Sequence, residues 1–167
     1  MLNEGMSARI PADVRMVLAA IDRAYDRPSW HGPNLRGSLR RLTPALAARR
    51  PHRDRHNIWE LVVHCAYWKY AVWRRITGER RGSFPLKGSN WFVRPAGDIS
   101  ERAWRADLLL LDDMHRRLRE AVSALTSRDL TRTIAGGKVT TEGLVTGIAA
   151  HDVYHAGQIQ LLKKLVR

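Results

Sequence analysis

Residues 100–125 read SERAWRADLLLLDDMHRRLREAVSAL, and this stretch decides the fold. Trp104, Leu108, Leu111, His115, Leu118, Val122 and Leu125 recur every three or four residues, so they share one face of a helix while arginine and carboxylate side chains take the other faces. Ser100 is a good side-chain cap, and Glu101 falls in the first turn, where the positive end of the helix dipole favours an acid. A long helix with one apolar seam buries that seam against other helices. Working back toward the N-terminus, residues 57–78 read NIWELVVHCAYWKYAVWRRITG. Asn57 is the predicted cap and Gly78 the stop. Ile58, Leu61, Val62, Cys65, Val72 and Ile76 form the buried stripe.

The two helices are joined by an unusually long connection, Arg81 to Ile99, which holds Pro85, Gly88, Pro95 and Gly97 together with Trp91-Phe92. Connections of this length in a compact fold are often lids or crossovers. Further upstream, Val14, Val17, Leu18, Ile21 and Tyr25 mark a first helix starting after Pro11. Pro28 to Pro33 interrupts it, because two prolines and a glycine do not continue a regular helix. Leu35, Leu39 and Leu42 predict two or three further turns, which Thr43-Pro44 stops. An arginine-rich connector then runs to about His56. Downstream of the third helix, a Gly136-Gly137 turn leads to Thr140 or Thr141 as cap of a fourth helix that runs to the C-terminus. Nothing alternates with the period of a strand, and nothing repeats. The expectation is an all-α four-helix bundle forming a single domain over residues 1–167.

With 167 residues, 44% hydrophobic and 27% charged, the chain has the composition of a globular protein rather than a disordered one. No run approaches the roughly 18 apolar residues of a membrane span, and the first fifteen residues lack the pattern of a secretory signal. Cys65 is the only cysteine, which excludes an internal disulfide and a thiolate-rich metal site; a cytoplasmic location is expected. The net charge is +13, carried by 29 basic residues of which five are lysines. The arginines are spread in pairs along the chain, so the charge offers a polyanion only the non-specific, salt-sensitive part of binding. A nucleic-acid partner is therefore not expected.

His151 and His155 lie four residues apart, one turn along the fourth helix and on the same face. Two imidazoles so placed can converge on one metal ion, or can simply be buried polar groups. His64 sits mid-way along the second helix, between Val63 and Cys65, where an imidazole is a poor core filler. A bundle that faces the second helix against the fourth brings His64 toward the pair. Three neutral imidazoles with an open fourth position is the ligand set of a potentially catalytic site.

HDVYHAGQI, paired with IWELVVHCAYW on the second helix, closely resembles the DinB-like (DinB/YfiT) family, and the resemblance covers the chain from about Trp30 onward. It implies an up-down-down-up bundle with one long crossover, for which Arg81 to Ile99 is the candidate. It also implies a divalent ion, zinc or nickel, held by His64, His151 and His155. Relatives include thiol-dependent transferases, which activate a low-molecular-weight thiol on the metal, and proteins described as hydrolases on the strength of the metal. The function expected is a metal-dependent hydrolase or thiol transferase acting on a small, anionic molecule. The alternative is a non-enzymatic basic module that binds nucleic acid and in which the histidines are structural.

Glu60 precedes His64 by one turn and is either a proton acceptor at the site or a first-turn carboxylate serving the dipole. Gln158 follows His155 by three residues and either orients that ligand or lies on the surface. His31, in the proline-rich break, is a fourth ligand or relay, or marks a kink. Trp68 walls the pocket or packs the core. Trp91, Phe92 and Arg94 close over substrate or clasp the crossover. His115 reads as a satisfied core histidine, and His52 and His56 as solvated. A homodimer through exposed helix faces is compatible with a bundle of this size.

Overall fold

The structure, a computed structural model, describes residues 10–134 and 137–166. Four long helices dominate it: α1 (Ala12–Tyr25), α4 (Ile58–Thr77), α5 (Glu101–Ser123) and α7 (Thr141–Leu165). Three short ones intervene, α2 (Leu35–Ser38), α3 (Pro44–Ala48) and α6 (Ser127–Thr131). Asn57 caps α4 in a full capping box with Glu60, and Gly78 ends it in the left-handed conformation at φ 78°. Ser100 caps α5 through the Ala103 N–H, and Thr140 caps α7 through the Gly143 N–H. Gly136, half of the expected turn before α7, lies outside the described residues.

The segment before α4 departs from expectation. Leu35 begins only one turn of helix, capped by Asn34, and Arg41 at φ 62° breaks the path. Thr43-Pro44 does not merely stop a helix but starts one: the Thr43 side chain accepts from the Leu46 N–H and Pro44 takes the first helical position, where its missing N–H costs nothing. Helix α6 was not anticipated either; Thr126 and Asp129 cap it reciprocally.

The long helices form a closed ring in which α1 packs on α5, α5 on α4, α4 on α7 and α7 on α1. Paired side chains give the directions. Trp59 meets Trp104 and Asp107, and ten residues on Lys69 meets His115, so α4 and α5 run the same way. Tyr25 meets Asp112 while Asp22 meets Arg119, so α1 opposes α5. His64 lies by His155 and Trp68 by His151, so α4 opposes α7. Among the described residues no helix is long and apolar enough to cross a membrane.

The core has two apolar halves. One gathers Ile58, Trp59, Val62, Trp104, Leu111 and Ile159; the other gathers Val14, Ile21, Leu118, Val122, Val145 and Ile148. A polar layer separates them. Lys69, 0% exposed, pairs with the equally buried Asp152, approaches His115 Nδ1 at 3.3 Å and lies 4.7 Å above the Tyr25 ring. Tyr25 stacks on His115 at 3.7 Å and donates its hydroxyl hydrogen to Asp112. Burial, with the Lys69 and Arg119 charges behind it, pulls His115 down to about 2, so its neutral ring accepts from the ammonium.

Candidate metal centre

His64 on α4 and His151 and His155 on α7 meet where the two helices face each other. The Nε2 atoms of His64 and His155 each lie 3.1 Å from Nε2 of His151. Burial lowers all three: His64 to about 4, His151 to about 3, and His155 below its usual range, with the neighbouring imidazoles adding to the effect at His64 and His151. The rings are therefore neutral at physiological pH.

The outward nitrogens decide which way the lone pairs point. His64 Nδ1 is 2.8 Å from the carbonyl of Asn90 and must donate to it, which leaves its Nε2 a bare acceptor. His155 Nδ1 is 2.7 Å from Gln158 Oε1, and the Gln158 amide is oriented by donating to Tyr154 Oη at 3.0 Å. His155 Nε2 is thus a second bare acceptor. His151 Nε2 faces both, while its Nδ1 is buried without a partner, as is Asp152 Oδ1 beside it in the chain. One nitrogen of His151, one Asp152 oxygen and Cys65 Sγ lie within 4.8 Å of one another. His151 Nε2 can offer the two acceptors at most one ring proton, shared between them, whereas a cation would take all three lone pairs. An ion about 2.0–2.1 Å from each nitrogen in tetrahedral directions would set them about 3.3 Å apart, close to the 3.1 Å between His151 and each of the other two.

The connection between α4 and α5 runs over the α4 face that carries His64. Asn57 donates to the Arg94 carbonyl at 2.7 Å, the Arg94 N–H reaches Glu60 at 3.4 Å, and Trp68 Nε1 donates to Asn90 Oδ1 at 2.9 Å. Asn90 sits at φ 64°, a left-handed conformation that asparagine tolerates better than most residues, and this turn aims its carbonyl at His64. Trp91 is stacked between His56 at 3.6 Å and His64 at 3.9 Å. A cavity of about 760 Å³ opens from the histidines between α4, α7 and this connection.

Trp68, Trp91 and Gln158 line that cavity. Glu60 does not: its carboxylate accepts from Arg50, from His56 at 2.9 Å and from its own capping box, so it is consumed at the helix N-terminus. His31 is exposed in the break after α1, away from the cavity. Arg94 is held by Asp107 at 2.9 Å and Phe92 is buried among Tyr67 and Phe84, so these two clasp the crossover rather than reach a substrate. His56 is more than solvated, since it forms part of the cavity wall. Sequence reasoning missed Asn90, whose only local signal is an asparagine in a Gly88-Ser89-Asn90 turn directly before Trp91-Phe92. It also missed Lys69, hidden because lysine reads as outward-facing.

The family model of the DinB superfamily matches residues 29–159, most of the chain and all three histidines. The chain belongs to the DinB superfamily. No curated protein and no solved structure matches it. Its mostly helical fold agrees with that of the DinB superfamily, and its buried three-histidine group is compatible with a metal site.

Proposed function

We propose that this DinB-superfamily chain holds a divalent ion, zinc or nickel, on Nε2 of His64, His151 and His155, and uses it to activate a water or a low-molecular-weight thiol in hydrolysis or thiol transfer. The observation that carries the reading is the convergence of three neutral nitrogens, two of them committed to acceptance by the Asn90 carbonyl and the Gln158 amide. Such an ion, when bound, lowers the pKa of a bound water or thiol toward neutrality. The chain's own part is positional. Asn90 and Gln158 fix the tautomer and tilt of two ligands, which raises their basicity. Trp68 and Trp91 exclude water from one side. The open side faces the cavity, and three neutral ligands leave the positive charge to attract an anionic substrate.

Elemental mass spectrometry on tag-free full-length protein tests this, with His64→Ala and His155→Ala beside it. The expected result is near-stoichiometric zinc or nickel in the wild type and its loss in both variants. Full occupancy in either variant overturns the ligand assignment.

A second reading draws on a separate cleft of about 730 Å³ at the far end of the bundle, where Arg74, Arg75, Arg81, Arg132 and Lys138 gather against Glu79 and Asp129. That excess of cations favours a polyanion, nucleic acid included. Salt-steep binding unaffected by chelation, and lost on Arg75→Glu/Arg81→Glu, would favour it over the metal reading.

A further inference from the structure

The cavity that begins at the histidines continues well past them. Below Gln158 its wall is made by Leu161, Leu162 and Leu165 of α7, with Leu61 of α4 and Pro51 of the connector opposite. From His155 to Leu165 the helix advances about 15 Å. Leu161 is 58% exposed and Leu165 61%, large apolar side chains left in water. With Tyr154 and Gln158 they stand four, three and four residues apart, one stripe along a single helix face. Apart from Arg55, the polar groups of the cavity neighbour the three histidines. Near the mouth, the exposed Arg55 has no side-chain partner among the described residues. Pockets of this size commonly hold one small molecule, with apolar walls supplying affinity and a few polar groups orientation.

We infer that the cavity takes an amphipathic small molecule: an anionic or metal-binding head group on the histidine floor and an alkyl or aryl tail along Leu161, Leu162 and Leu165. This rests on the metal reading above and deepens it. A head group that reaches the histidines must bring the rest of its molecule past the leucines, because both line one cavity. The positive ion at the floor and Arg55 near the mouth select against a cationic ligand.

Calorimetric titration of zinc-loaded full-length protein with n-alkanoyl hydroxamic acids of two, four, six and eight carbons tests the inference. Affinity should rise about threefold to fourfold for each added methylene. The double substitution Leu161→Asn/Leu165→Asn, at two exposed positions, should flatten that rise while leaving zinc content and acetohydroxamate affinity unchanged. A flat series in the wild type, or an undiminished rise in the double variant, overturns the inference. So does sedimentation showing that the double substitution splits a dimer, because the stripe would then belong to a contact between copies. Failure of the wild type to hold either zinc or nickel overturns the metal reading and this inference with it; full metal occupancy with a flat series overturns this inference alone.

Discussion

Lys69 places an ammonium at the centre of a helical bundle, with Asp152 as its counter-ion and His115 and Tyr25 beside it. Burial pushes the Asp152 carboxyl up, and the Lys69 charge pulls it back. Removing one member strands the other. Lys69→Met should cost about 3–5 kcal/mol, because an uncompensated buried carboxylate remains. Urea unfolding checks this, and Lys69→Met/Asp152→Leu should recover much of the loss. A double variant as unstable as the single one would show that the pair contributes net stability rather than register between α4 and α7. Nothing in the sequence announced this pair. Lysine is almost never fully buried without a partner, and the partner lies 83 residues away in the chain. The histidines were legible because their spacing is local: His151 and His155 share a face by helix geometry alone.

At the scale of elements, the long helices were readable from their ends as much as from their seams. Asn57, Ser100 and Thr140 all cap as their side chains dictate. The short helices were not readable, because Thr43-Pro44 carries the same chemistry for ending one helix as for beginning another. Two of these caps do different amounts of work. Ser100 Oγ satisfies one N–H, whereas Asn57 satisfies Glu60 N–H at 2.8 Å and donates to the carbonyls of Ala48 at 3.3 Å and Arg94 at 2.7 Å. Ser100→Ala should therefore cost about 1 kcal/mol and Asn57→Ala about 2 kcal/mol or more, read as shifts of the urea midpoint at constant slope. Equal losses would mean that the crossover is not anchored there.

For the whole molecule, four neutral histidines, three of them buried and His151 half-buried, make stability depend on acid. In the unfolded chain each takes up a proton near pH 6.5, while in the native state His64 holds out to about 4, His151 to about 3 and His115 to about 2, and His155 is lowered as well. Between those limits the unfolded state binds more protons, so stability is full above about pH 6.5 and falls steadily as the pH is lowered. Melting temperatures measured from pH 7.5 to 4.5 should fall, and less steeply for His115→Phe; parallel profiles would show that His115 is not held neutral. The directions of the helices have a consequence of another kind. Because α4 and α5 are parallel, the chain leaving Thr77 must travel back about 30 Å to start α5 beside the start of α4. The return is compulsory for the topology, and the segment that makes it is held to α4 along its length, with Asn90 orienting His64 and Arg94 meeting Asn57. Asn90 and Trp91 belong both to this return and to the cavity wall, so a substitution at either acts on the path of the chain and on the chamber at once.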